Sequence, residues 1–350
     1  ISECLVGSEM CIRDRNMKTN IKKIAALALV ALLVVVLSVG LVACNDNKGN
    51  GETKSVEVVY YADGAAVQAA LAAGVIDYGV VGEPAATAGA SKGFTVVMDI
   101  QAEFNKATGG TSGFPMSSTF VKNSLAANKD FVDAYLAALN DNLAYIQENA
   151  ANMTALLKAA GSNSAYPAPS IPKCNVGVYS GDDVKTAVAD MMKTLHGTQS
   201  VPDSVYYDET AATAQGEGSG TIKIYVPDGA PLLAVANLAT KNVATVNGYS
   251  VEVIVAAANE ISTAMASGKA DIAILPANAG VNLIANKGAG YKFLCSNTQG
   301  ILYMLAKTEN ANGTIVPADL AGKKVGCIGS GAVPQYAVEK VLTAAGLKLA

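Results

Sequence analysis

The chain has no tryptophan, a single histidine and few arginines, so the side chains that most hydrolytic and anion-clamping sites are built from are scarce. His196 stands in "KTLHGTQS" at an apparent helix end with no partner constellation around it. A cap or surface role is the simplest reading, and most histidine-dependent hydrolytic schemes are excluded. Cysteine is thin as well. Cys174, Cys295 and Cys327 each lie in or beside an apolar run, with no C-x-x-C pair, so buried single thiols are expected and a metal site is not. Basic clusters are absent too. Beyond residue 43 the chain holds 20 basic and 26 acidic residues, a net charge of −6, which argues against nucleic-acid binding.

What is present begins with processing signals. Residues 1–16, "ISECLVGSEMCIRDRN", have no hydrophobic period and resemble translated sequencing-adapter read-through, so they are read as an artefactual leader. Residues 17–43 read as a secretory signal: Lys18, Lys22 and Lys23 precede twenty uncharged residues, Ile24 to Ala43. That length would also suit a permanent membrane anchor. The ending "LVAC" decides for cleavage, because it resembles a bacterial lipobox in which Cys44 is lipidated and becomes the new N-terminus. A polar tether follows over 44–54. The expected location is the cell membrane, lipid-anchored on its extracytoplasmic face.

The 307 residues from Cys44 onward are too many for one small core and suit two lobes. From residue 55 short apolar runs ("VEVVYY", "IDYGVVG", "FTVVMDI") alternate with alanine-rich helical stretches. "NKDFVDAYLAALNDNLAYIQENA" has helical spacing with Asn128 as N-cap, and "GDDVKTAVADMMKTLHG" opens on acids that suit a helix N-terminus. Residues 209–220, "ETAATAQGEGSG", lack strong apolar residues and read as a linker. The α/β alternation then resumes: "TIKIYVP" as a strand, "PLLAVANLATKN" as a helix, "YKFLCSN" and "GILYMLAK" as strands. Such alternation predicts an α/β fold with mostly parallel sheets flanked by helices.

One unit occurs twice. "AAVQAALAAGVIDYGVVGEPAAT" and "NEISTAMASGKADIAILPANAGV" share a helical run, a glycine, two residues, an aspartate and an apolar strand. Gly74 and Asp77 answer to Gly268 and Asp271. Glycine ends the helix in the left-handed conformation and aspartate opens a buried strand. Two copies imply two sheets of similar construction, one in each lobe.

"YVPDGAPLLAVANL", "ISTAMASGKADIAILPANAGVNLIANKG", "DLAGKKVGCIGSGAVPQYAVEKVL" and "VQAALAAGVIDYGVVGEPAAT" together resemble the periplasmic-type substrate-binding proteins of ABC importers. The closest group is the nitrate, sulfonate, taurine and thiamine-pyrimidine-precursor binders. In that family "PDGAP" comes first, the glycine loop next and the "GEPAAT" copy after it. Here the last comes first, so the chain resembles a circular permutation of the family, pointing to a chimeric or circularised assembly. The resemblance implies a two-lobed periplasmic-binding-protein fold with a ligand cleft between lobes. Lobe one would take 115–208 and 221–312, and lobe two 55–114 and 313–350. The crossings, near "GGTSGFP" and "KTENANG", would form a hinge.

Ligands of open α/β sheets bind beyond the carboxyl ends of strands. That rule selects the "PDGAP" loop (Asp228, Gly229, Ala230) and the glycine loop (Ser330, Gly331, Ala332), whose backbone N–H groups are expected to point into the cleft. Each has a tight strand–helix turn as its alternative reading. Asn278 and Glu83 follow the paired aspartate strands, Glu83 being alternatively a surface carboxylate that caps the next helix. Tyr61, Thr298 and Gln299 stand at other strand ends. Phe114, near a crossing, is readable as a ligand contact or as a core aromatic. The resemblance implies a non-enzymatic receptor without cofactor, taking a sulfonate, nitrate, pyrimidine or similar small molecule to an ABC permease in the membrane. Two alternatives stay open: a pyrimidine-precursor synthase-like enzyme of the same fold, and a ligand sensor for a membrane signalling protein.

Overall fold

The computed structural model describes residues 54–110, 113–198 and 200–350, all within the unit Thr53–Ala350. The leader, the signal, Cys44 and most of the tether lie outside them. The first part of the chain forms β1 (Ser55–Tyr61), α1 (Gly64–Ala72), β2 (Tyr78–Gly82), β3 (Phe94–Asp99) and α2 (Ile100–Thr108). Next come β4 (Pro115–Lys122), α3 (Lys129–Glu148), α4 (Met153–Ala159), β5 (Val176–Tyr179) and α5 (Asp182–His196). After the linker follow β6 (Thr221–Val226), β7 (Thr245–Val246), β8 (Tyr249–Val255), α6 (Ala258–Ala266), β9 (Ile272–Pro276) and α7 (Ala277–Lys287). The last elements are β10 (Tyr291–Gln299), β11 (Leu302–Lys307), β12 (Lys324–Ile328), α8 (Val333–Ala344) and β13 (Lys348–Leu349). Among the described residues no helix is long and apolar enough to cross a membrane.

These strands make two sheets, ordered β13-β1-β12-β2-β11-β3 and β5-β10-β4-β9-β6-β8-β7. The α/β class is as expected; both sheets are mixed, the six-stranded one still mostly parallel and the seven-stranded one mostly antiparallel. In the first, β1, β2, β12 and β13 run parallel while β11 lies antiparallel to both β2 and β3. In the second, only the β9-β6-β8 run is parallel. In the first sheet the reversed strand is β11, entered from β10 through Gly300; in the second it is β4, between β9 and β10, with the edge strands β5 and β7. An apolar run carries no information on the direction in which it will be paired, so the alternation overestimated parallel pairing.

The same turn moves a boundary. Residues 302–307, grouped by sequence with 221–312, pair instead with β2 and β3. The chain leaves the six-stranded sheet after α2, enters the seven-stranded sheet at β4, and returns at 300–301, not at "KTENANG". The two passages are joined: the Gly300 N–H donates to the Phe114 carbonyl at 2.9 Å, and Asn175 Nδ2 donates to the Gly300 carbonyl at 3.0 Å. The 209–220 segment lacks strand and α-helix, yet it is tied down. Asp130 Oδ2 accepts from the backbone N–H groups of Gln215 and Gly216.

The sequence repeat is reproduced bond for bond. Gly74 and Gly268 both take φ +70°, the left-handed conformation that glycine adopts without steric cost. Their N–H groups close on Leu71 and Met265, while Val75 and Lys269 reach back to Ala70 and Ala264. Each aspartate then brackets a lysine backbone on the neighbouring parallel strand. Asp77 donates its N–H to the Lys324 carbonyl (2.8 Å) and accepts the Lys324 N–H on Oδ2 (2.7 Å). Asp271 does the same with Lys223, at 3.0 and 2.9 Å. Asp77→Ala and Asp271→Ala are therefore expected to cost about 1.5 kcal/mol each, the low end for a bond to a charged acceptor at an exposed position. In separate sheets the two losses add, which denaturant melts of the single and double variants measure.

One expected helix is broken. "PLLAVANLATKN" forms two single turns, Ala230–Leu233 and Ala236–Ala239, separated at Val235. The buried Asn142 side chain of α3 is the wedge: its Nδ2 donates to the Leu233 carbonyl and its Oδ1 accepts the Asn237 N–H. Those two groups would otherwise bond each other along a continuous helix. Elsewhere the helix signals hold. Asn128 caps α3 by accepting the Phe131 N–H, and Asp182 and Asp183 occupy the first turn of α5.

Candidate functional site

β6 and β9 are adjacent and parallel, so both end at one edge of the seven-stranded sheet. β12 and β2 are likewise adjacent and parallel, and end at one edge of the six-stranded sheet. The loops leaving these four strands meet. Gly229, after β6, lies against Pro84, after β2: a Cβ at Gly229 would stand 3.9 Å from Pro84 Cδ. Asn278, after β9, donates Nδ2 to the carbonyl of Gly331, after β12, at 3.0 Å. The bracketing aspartates make β9 the counterpart of β2 and β6 the counterpart of β12. In both contacts, therefore, a glycine loop of one sheet meets an aspartate-strand end of the other.

Within this junction the two glycine loops are tied up internally. The Asp228 carboxylate accepts from Ser162 Oγ (2.5 Å), the Asn163 N–H (2.8 Å), the Tyr166 hydroxyl (2.9 Å) and the Gly229 N–H (2.8 Å). Burial opposes the charge, but these donors outweigh it and hold the Asp228 pKa below the ordinary aspartate value. The Asp228 carboxylate and the Tyr166 hydroxyl oxygen thereby consume the Gly229 N–H that was expected to face a ligand. Ala230 is buried and opens a helix of only four residues. In the second loop the Gly331 N–H donates to Gln335 Oε1 at 2.7 Å, and the Ala332 N–H to the Gly329 carbonyl at 3.0 Å. Ser330 is exposed.

Glu83 is 4 % exposed, so it is not a surface carboxylate, although it does cap the short helical turn after β2. Its oxygens accept the Thr87 N–H (3.0 Å) and Thr87 hydroxyl (2.7 Å). Burial raises its pKa, and the Thr87 bonds and the nearby Lys173 only partly offset that. Asn278 is 2 % exposed, and its Oδ1 has no partner among the described residues.

Other expected contacts fall elsewhere. Phe114 has no exposed surface and packs edge-on against Phe104 at 4.9 Å, as a core aromatic. Thr298 is fully buried; its hydroxyl oxygen meets the Ser117 N–H at 3.2 Å and the Ser117 hydroxyl at 2.8 Å. Gln299 is buried, its N–H reaching the Asn175 carbonyl at 3.3 Å. Tyr61 ends β1 and its ring packs on the cluster of Val67, Leu71 and Ile76 beneath α1. Among polar residues, the sequence reading missed Ser162 and Tyr166, which hold Asp228 from more than sixty residues away. It also left His196 outside the site, whereas His196 Nε2 lies 3.1 Å from Asn278 Nδ2.

Among the described residues Cys174, Cys295 and Cys327 are free and buried, and burial pushes the Cys295 thiol up to about 12. A cavity of about 470 Å³ lined by Lys185, Tyr206, Tyr207 and Lys292 lies at the opposite end of the seven-stranded sheet, where β4 ends and β10 begins. No known family model matches the chain, and neither does any curated protein.

Proposed function

We propose that this chain is an extracytoplasmic solute-binding lipoprotein of an ABC importer, anchored through Cys44 and capturing a small molecule between two lobes. Each lobe is built on one of the two sheets, in the manner of a periplasmic binding protein. The observation that carries this reading is the reciprocal pair of contacts, Gly229 on Pro84 and Asn278 on Gly331, between the carboxyl ends of strands in two sheets. The chain passages at 113–114 and 300–301, joined by the Gly300–Phe114 hydrogen bond, are where closure would pivot. The permuted order is compatible with the same fold. The Lys348 N–H bonds the Lys54 carbonyl at 2.9 Å, so the segments that the family joins directly lie side by side.

The test is ligand-induced stabilisation across nitrate, sulfonates, pyrimidines and related heterocycles. A ligand at a hundred times its Kd contributes about 2.7 kcal/mol, which raises Tm by about 4 °C for a unit of this size. A melting temperature unmoved by the entire panel would count against a solute-binding role.

A further inference from the structure

We propose that the ligand taken at this junction is a hydrogen-bond donor, an amine, amide or N–H heterocycle, recognised by Asn278 Oδ1, rather than an acceptor-only anion. The inference rests on the solute-binding reading and names its ligand class.

The orientation of the Asn278 amide is decided by its neighbours. The Gly331 carbonyl can only accept, so the group 3.0 Å from it must be Nδ2. The second Nδ2 proton then faces His196 Nε2, 3.1 Å away. Oδ1 is left buried without a partner among the described residues, and an unpaired buried acceptor is costly. A ligand N–H or O–H entering as the two walls separate removes that cost, whereas an anion offers Oδ1 only repulsion.

The rest of the junction agrees. Three of the donors expected for an anion are spent: the Gly229 N–H on Asp228 and Tyr166, the Gly331 N–H on Gln335 and the Ala332 N–H on the Gly329 carbonyl. Both arginines of the chain lie at positions 13 and 15, so none lies among the described residues. The nearby cation, Lys173, is 3.5 Å from the Thr87 hydroxyl and is matched by the buried Glu83 carboxylate.

The experiment is calorimetric titration and thermal shift of the full chain with two probe sets. One set is cytosine and 4-aminopyrimidine; the other is nitrate and methanesulfonate. Each is run on the wild type, on Asn278→Leu and on the near-isosteric Asn278→Asp, with circular dichroism to verify folding. The expected result is binding of a donor probe that weakens about tenfold or more in Asn278→Leu. Asn278→Asp keeps an acceptor but turns its other oxygen to the Gly331 carbonyl, so donor binding should weaken less there than in Asn278→Leu. Binding of nitrate or methanesulfonate that persists in Asn278→Leu would overturn the donor assignment and leave the solute-binding reading standing. Binding of neither set to the wild type would overturn both.

Discussion

Asp228→Ala should lower the stability of the fold by about 3 kcal/mol and abolish whatever binds at the junction. Four donors converge on this one carboxylate, two of them from side chains of the 162–166 segment and two from the backbone. Hydrogen bonds to a charged acceptor are worth about 1.5–3 kcal/mol each, but Asp228 is only half-buried and water recovers part of the loss. Tyr166, 1 % exposed, has fewer such recourses. Asp228→Asn should be milder, since one carbonyl oxygen remains, though its amide group then faces an N–H donor. Denaturant melts check the order wild type, Asn, Ala.

The same residue has a pH signature. Its carboxyl is depressed in the folded state, so its contribution is fully present above the unfolded aspartate value of about 3.9. It is lost as pH falls through the lower folded value. The wild type and Asp228→Ala should therefore differ at neutral pH and converge in strongly acid solution. A gap that stays constant into acid would show that the side chain acts by packing rather than by charge.

Gly280→Ala should also be severe, against the usual sign. In a helix interior alanine is favoured over glycine by about 1 kcal/mol. Here a Cβ at Gly280 would overlap the ring of Phe120. Phe120 has no exposed surface and stands edge-on to Phe293 at 5.4 Å, so the ring has nowhere to turn and α7 must lift from β4. Overpacking of this kind costs about 1–3 kcal/mol. Asn278 lies two residues earlier on α7, so binding should fall together with stability. Gly290→Ala is the control, since its Cβ would meet only Asn123 at 3.7 Å, an ordinary contact. Thermal melts and probe titration of the pair measure the difference.

The features that were legible in the sequence are those whose cause is short-range. A left-handed glycine closing on residues three to five back, an aspartate opening a strand and Asn128 capping α3 each depend on a few neighbouring residues. The repeat of Gly74 and Asp77 in Gly268 and Asp271 was therefore visible as pattern and is reproduced as hydrogen bonds. The alternation of apolar runs and helical stretches likewise determined the α/β class.

Partner choice belonged to the tertiary structure. Nothing within "GILYMLAK" indicates that β11 leaves the sheet of β10 and runs antiparallel between β2 and β3. Nothing in "PDGAP" indicates that its glycine N–H is satisfied by Asp228 and by Tyr166, 63 residues away. Nor does the glycine loop reveal that its carbonyl holds Asn278 from 53 residues off, leaving that residue's oxygen bare. A backbone group has one donor and one acceptor to place, and local sequence says that they must be placed but not where. The destination is chosen only when the two sheets come together, because long-range contact decides which strand ends face one another.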